Sequence, residues 1–440
     1  MGPSTIITRG AFIEDMTQAT TLACVSRVCR LVRVEVSGQN PAKILASMQP
    51  QYGANGDETR RSLLEQPLGS SLRKYRLLGN SGLRVSPLCM GTMHLADPSM
   101  TDKATARRLL ERYVDLGGNF FDTSPLDERG TSEAWLGEFL AHHRSRAVIA
   151  TKFGGATDPK DPNSGGNHRK CLVQSLDASL RRLGTPYVDL LLLHIWEYRT
   201  PIEEVMRALD DVVRSGKALY VGISDTPAWK VSQANTLASL RGWSPFVGLS
   251  TQYSLVERTA ERDILPMCAD LGIGCLPWGV LSQGLLSGKY NHLSVEAGQE
   301  AYSKLARLSG REEQRAVVGI DTYRPKAVLR EWTERNHEIA HTVGAAAAAC
   351  GRTPAQVAIN WTANRSGVTA PIFAVRSREQ LDDVVGSLDF TIPSPQLAAL
   401  DDVSRVDLGF PQRWGDGDFF VARGQQVEKR GGPSSYNFMN

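Results

Sequence analysis

The chain has 440 residues, of which 41% are hydrophobic and 22% charged, a globular composition that excludes a mostly disordered polypeptide. Its 50 Lys+Arg and 47 Asp+Glu leave a net charge of +3, too even a balance to point to a nucleic-acid partner, and no apolar run reaches the length of a membrane span. Seven cysteines, an odd number without a CxxC or Cys/His cluster, predict neither a disulfide framework nor a metal site and suit a reducing, cytoplasmic compartment.

The chain opens with a stretch poor in large side chains. Residues 1–73 hold two aromatics, Phe12 and Tyr52, and a polar segment at Gln49–Gly56. So little apolar bulk predicts an N-terminal extension, residues 1–73, that is disordered. Arg27, Arg30 and Arg33 stand at helical spacing, as in a targeting segment, but the acidic Glu14 and Asp15 speak against one. From Lys74 the texture changes. Short apolar runs recur at roughly 30-residue intervals, the length of a βα unit: Val85–Gly91, Asn119–Asp122, Ala147–Lys152, Val188–His194, Ala218–Ser224, Phe246–Gln252, Gly272–Trp278 and Val368–Ala374. Between them lie stripes of helical period at Ala106–Leu116, Ser175–Leu183, Ile202–Val213 and Pro354–Ala363, and Gly117-Gly118, Gly184 and Gly216 stand where helices end. Eight such alternations predict a single α/β domain, a (β/α)8 TIM barrel over 74–420, followed by a tail at 421–440. Asn291 to about Lys326 breaks the rhythm and reads as a long loop.

Several apolar runs end on a polar side chain: Asp122, Lys152, His194, Ser224-Asp225 and, with an aromatic, Trp278. In a barrel these ends share one mouth, where chemistry sits, and charged groups gathered there must pair to be tolerated. His94 is a second histidine candidate after the first run. His142, His143 and His168 read as surface, and Ala345–Ala349 as a plain helix face.

These residues resemble the aldo-keto reductase family, in its aryl-alcohol-dehydrogenase-like branch, over about Lys74 to Phe420. The resemblance rests on Tyr75-Arg76-Leu77-Leu78-Gly79-Asn80-Ser81-Gly82-Leu83, Gly91-Thr92-Met93, Gly118-Asn119-Phe120-Phe121-Asp122-Thr123, Ala150-Thr151-Lys152 and Leu193-His194. It continues in Tyr220-Val221-Gly222-Ile223-Ser224-Asp225-Thr226-Pro227-Ala228-Trp229, Gly284-Leu285-Leu286-Ser287-Gly288-Lys289-Tyr290 and Val375-Arg376-Ser377-Arg378-Glu379-Gln380-Leu381. It implies the same barrel and NADP(H)-dependent reduction of an aldehyde or ketone. In the family a Tyr donates the proton, a Lys lowers that phenol's pKa, an Asp pairs with the Lys and a His orients the carbonyl. By motif position Asp122, Lys152 and His194 match the last three.

The position of the Tyr differs. The family's Asp-Thr-Ala-x-x-Tyr-Gly aligns without a gap with Asp122-Thr123-Ser124-Pro125-Leu126-Asp127-Glu128, which puts Asp127 at the Tyr and Glu128 at the following Gly. A carboxylate beside Lys152 is expected to ionise, unless repulsion among Asp122, Asp127 and Glu128 keeps one protonated. The catalytic set is therefore Asp122, Asp127, Lys152 and His194, with His194 able to replace the phenol as acid.

The cofactor site implied by the resemblance draws on Gly91, Thr92, Met93 and Asp122 at the first two runs. To these it adds Ser224-Asp225 in place of Ser-Asn, and Ser250 in place of a Gln. Trp278 would stack on the nicotinamide. Gly279, Leu281 and Gly284 belong to a phosphate loop with fewer glycines than usual, because Ser282 and Gln283 intervene. Lys289, Arg376, Ser377, Gln380 and Asp383 complete it, with Lys289, Arg376 and Arg378 offering cations to a 2′-phosphate; Val384 stands where an Asn is usual. The partner expected is a small carbonyl compound, aromatic or from secondary metabolism. Trp196, Trp414 and Phe419 would wall the mouth, with the Asn291–Lys326 loop and the Phe410–Phe420 tail beside them. Two other functions fit the altered site: a lapsed, cofactor-binding regulatory protein on the same fold, and a lyase or dehydratase moving protons with Asp127 and His194.

Overall fold

Two prolines decide where the barrel's first and last strands break. The computed structural model describes residues 71–97, 101–292, 294, 296 and 332–412. Residues 1–70, most of the loop expected at Asn291–Lys326, and the tail with Trp414 and Phe419 lie outside the described residues. The expected first strand, Val85–Gly91, is two pieces. Arg84–Val85 (β2) pairs antiparallel with Arg76–Leu77 (β1), and Cys89–Gly91 (β3) enters the barrel. Pro87 stands between them and has no N–H to offer a ladder. Pro371 does the same to the expected Val368–Ala374. Only Ile372–Phe373 (β10) is regular strand, while Val368 makes an isolated parallel bridge to Cys275.

The other strands follow the apolar runs: Phe120–Asp122 (β4), Val148–Phe153 (β5), Val188–Leu193 (β6), Ala218–Ser224 (β7), Phe246–Gln252 (β8) and Gly274–Trp278 (β9). All eight barrel strands are parallel, in the order β10-β3-β4-β5-β6-β7-β8-β9. The ring is closed between β9 and β10 by the Cys275–Val368 bridge, with Thr369 N donating to Cys275 O at 2.8 Å. The β1–β2 hairpin plugs the end of the barrel where the strands begin. Leu78 in its turn is fully buried, and Asn80 N donates to Gly272 O at 2.7 Å. Gly79 is required there: its φ is +53°, and a Cβ would lie 2.5 Å from both Gly272 O and Val247 O.

Helices cover the outside: Lys103–Asp115 (α1), Thr131–Leu140 (α2), Arg169–Leu183 (α3), Ile202–Arg214 (α4), Ala228–Arg241 (α5), Ile264–Leu271 (α6), Glu334–Cys350 (α7), Pro354–Ala363 (α8), Arg378–Gly386 (α9) and Ser394–Val403 (α10). Their ends follow local chemistry. Asp102 and Thr333 cap backbone N–H groups of α1 and α7, Thr353 and Gln356 form a capping box on α8, and Gly184 ends α3 in the left-handed region. His168, read as surface, has a job of its own: its Nδ1 accepts from Cys171 N at the start of α3.

Strand residues alternate between two cores. Leu191 and Leu193 pack outward under the helices, whereas Leu190 and Leu192 join Phe120, Val148, Ala150 and Leu276 inside the barrel. Both faces of each strand are thus apolar, which is why the runs look continuous rather than alternating.

Candidate active site

The inward parity of each strand carries one step further, to its C-terminal end. Phe120 is followed two residues on by Asp122, Ala150 by Lys152, Leu192 by His194 and Leu276 by Trp278. Strand period two therefore aims all four side chains at one mouth. Register brings them together: Gly91 pairs with Asp122, Asp122 with Ala150, and Lys152 with Leu192.

Lys152 and Asp122 form the centre. Lys152 Nζ donates to Asp122 Oδ1 and Oδ2, both at 2.7 Å, and to Thr123 O at 3.1 Å. All three ammonium hydrogens are thereby used, and the two side chains are 8% and 13% exposed. Burial alone would lower the Lys152 pKa, but the charges of Asp122 and Asp127 and the bond to Asp122 outweigh it and raise it. Lys152 is thus held cationic. Beneath it the thiol of Cys89 is pushed well up by burial, with Asp122 adding to the rise.

Asp127 opens a short 3-10 turn, Asp127–Gly130, just past β4, with its N–H on Ser124 O at 3.1 Å. Glu128 and Arg129 follow with φ of 46° and 57°, left-handed values that cost an L-residue energy and that a glycine would accept freely. The turn leads into α2, whose Ser132 and Glu133 are buried behind the site. Ser132 Oγ meets Thr123 Oγ1 at 2.8 Å. Glu133 takes Thr151 Oγ1 and Arg182 Nε, each at 2.6 Å. These bonds make a rigid back wall for Thr123 and Lys152.

His194 caps β6, with its N–H on Phe153 O at 2.9 Å. Burial, and then the neighbouring Lys152 charge, pull its pKa from 6.5 down to about 3. The imidazole is neutral at physiological pH. A neutral imidazole can donate an N–H hydrogen bond. The loop beyond it is clamped by Asn167, which donates to Ile195 O and accepts from Glu197 N, both at 3.0 Å.

On the opposite side Trp278 Nε1 donates to Asp225 Oδ1 at 3.0 Å. Burial raises the Asp225 carboxyl against that bond, and Asp225 holds a φ of 43°, fixed by its N–H on Ser250 O. Ser224 and Ser250 are buried and in register. After Trp278 the chain turns through Gly279, Ser282, Gln283 and Gly284 with φ of 72°, 49°, 55° and 95°. The loop keeps a glycine-type backbone although two of its residues carry side chains. Within it Ser282 N donates to Gly279 O at 2.8 Å and Gly284 N to Leu281 O at 2.9 Å, which fixes the turn.

The remaining expected cofactor residues are dispersed around this rim. Thr92 N and Oγ1 both donate to Asp122 O, Gly91 sits against Ile372, and Met93 is 40% exposed. Ser377 caps α9, and Gln380 Oε1 accepts from Arg376 N at 2.8 Å, so these two shape the helix start. Asp383 accepts from Thr353 Oγ1, tying α9 to α8. Arg378 leans on Asp382 at 3.6 Å, while Arg376 and Lys289 are exposed, with Lys289 4.7 Å from the Tyr290 ring centroid. Leu281 packs into the core beside this turn. The bonds of Thr123, Asn167 and the Trp278–Asp225 pair carry no periodicity or spacing signal, and sequence reading missed them.

The description "Aldo/keto reductase family" matches residues 87–405. The chain belongs to the aldo/keto reductase family. Among similar proteins, a norsolorinic acid reductase from Emericella nidulans is 36% identical over 78% of this chain and 84% of its own length. A second, from Aspergillus flavus, is 33% identical over 77% and 83%. An aryl-alcohol dehydrogenase [NADP(+)] from Phanerodontia chrysosporium is 33% identical over 78% and 89%. This aldo/keto reductase is therefore an oxidoreductase by kinship, on a barrel whose mouth holds an Asp–Lys–His group. Among the described residues no helix is long and apolar enough to cross a membrane, and no group of three or more His, Cys, Asp or Glu could hold a metal.

Proposed function

We propose that the chain is an NADP(H)-dependent reductase of aromatic or secondary-metabolite aldehydes and ketones, in which the proton reaches the product without a phenol. The supporting observation is the buried Lys152, bound by both oxygens of Asp122, one strand from the neutral His194. The donor set suits a nicotinamide dinucleotide phosphate. Trp278 and the Ser224–Asp225–Ser250 shelf would take the nicotinamide, the 279–284 turn would lie along the diphosphate, and Arg376 with Lys289 would take the 2′-phosphate. When bound, that cofactor supplies the hydride.

The protein's part is orientation and charge. His194, neutral, donates to the carbonyl oxygen and polarises it. As hydride adds to the carbonyl carbon, the oxygen becomes an alkoxide, and Lys152 offsets the growing charge at short range. Asp127, whose charge reaches Lys152, stands by motif alignment at the family's Tyr. Its carboxyl, when protonated, gives its proton to the alkoxide, and the carboxylate left behind takes up a hydronium proton from solvent. A carboxyl is shorter than a phenol and a weaker relay when ionised, so turnover is slow. Asp127→Ala is expected to lower kcat about tenfold, and Asp127→Tyr to raise it by about tenfold or more. Equal turnover of all three proteins would reject Asp127 as the relay. The alternative of a lapsed, cofactor-binding protein is favoured by one fact: all three Lys152 hydrogens are committed to Asp122 and Thr123. NADPH binding without turnover on any carbonyl would support it. Lyase or dehydratase chemistry needs a stronger base than a His194 pulled down to about 3.

A further inference from the structure

Beyond the reacting carbonyl, the sector of the mouth between β6 and β7 carries an ordered positive charge. Trp196 lies two residues past His194 and is buried, with its ring edge-on to Tyr198 at 6.5 Å between centroids. Trp229 and Lys230 form the first turn of α5, shortly after Asp225. Lys230 Nζ lies 4.5 Å from the centroid of Trp229 and 5.1 Å from that of Trp196, and donates to Gln233 Oε1 at 2.6 Å. The ammonium is thus held between two indoles, whose π faces attract it.

Lys103, Lys152 and Lys217 each face a carboxylate at 2.7 Å. Among the described residues no carboxylate lies within ion-pair distance of Lys230. Trp229 beside it is 60% exposed, and Ile195 and Tyr198, which flank Trp196 in the chain, are 54% and 68% exposed, large apolar surface at the edge of a catalytic mouth. An aromatic body would cover that surface, and an anionic group on its far side would meet a cation whose position is already set.

We propose that Lys230, Trp229 and Trp196 form an outer subsite that selects aromatic carbonyl compounds bearing a carboxylate or ionised phenol remote from the carbonyl. The subsite rests on the reductase reading for its link to catalysis, but its binding preference can be measured alone. The test compares 6-formyl-2-naphthoate with 2-naphthaldehyde, which share a ring system and differ in charge. Binding to the full chain is followed by tryptophan fluorescence, and turnover by NADPH oxidation. The wild type is expected to bind the anion about fivefold more tightly, an advantage that fades in high salt. Lys230→Met abolishes the preference and Lys230→Arg keeps it. Equal binding of both compounds by the wild type, or a preference that survives in Lys230→Met, overturns the proposal. A Lys230-dependent preference without any NADPH oxidation leaves the subsite standing and removes the reductase reading. NADPH oxidation with both aldehydes but without the preference does the reverse.

Discussion

His194 shows how one buried side chain ties this site to pH. Its pKa in the fold is about 3 against an ordinary 6.5. Between those values the unfolded chain takes up a proton that the folded chain refuses. Stability therefore holds above about pH 6.5 and declines as the pH falls toward 3. In His194→Gln this proton-linked loss disappears. Urea midpoints at about pH 7 and about pH 4 should differ less for the variant than for the wild type. An identical difference in both proteins would mean that His194 titrates normally in the fold. Lys152 runs the other way: its pKa is raised, so its pairing stabilises below the ordinary lysine range and is lost only as pH rises through the elevated value. Removing that ammonium in Lys152→Met leaves Asp122 buried without its cation and should cost about 3 kcal/mol of stability, read by denaturant unfolding.

At the scale of loops and strands, the site depends on backbone placed against ordinary preference. The turn after Trp278 has Ser282 and Gln283 in left-handed conformations, each strained by roughly 1 kcal/mol relative to a glycine in the same place. Gln283→Gly is expected to raise unfolding free energy by up to about 1 kcal/mol and to tighten NADPH binding. A destabilised variant would show that Gln283 makes a contact outweighing its strain. Asn167→Ala removes both bonds that clamp the loop after His194. It should cost about 2 kcal/mol and raise KM more than it lowers kcat. Element positions were largely legible in the sequence, because buried parallel strands leave continuous apolar runs: Phe246–Gln252 is a strand over just those residues, and Pro354–Ala363 a helix over just those. The end strands were not. Pro87 and Pro371 interrupt runs that look apolar throughout, since hydrophobicity is blind to a missing N–H.

For the molecule as a whole, eight strands of one parity convert a sequence pattern into a site. Asp122, Lys152, His194 and Trp278 were readable because each ends an apolar run, and the barrel sends every run to the same mouth. The connections among them were not readable. That Lys152 spends all its hydrogens on Asp122 and Thr123, that Trp278 bonds Asp225 and that Lys230 lies between two indoles follow from packing between segments far apart in sequence. These connections decide the chemistry, and catalysis by the Asp122–Lys152–His194 group is the claim on which the account turns. The most direct test is NADPH oxidation by the purified wild type and Lys152→Met across a panel of aromatic aldehydes and ketones. NADPH binding is monitored in parallel through tryptophan fluorescence. Carbonyl-dependent oxidation by the wild type, reduced about a hundredfold or more in Lys152→Met while NADPH still binds, is the predicted result. NADPH binding with no carbonyl-dependent oxidation by the wild type, or oxidation equally fast in Lys152→Met, would contradict it.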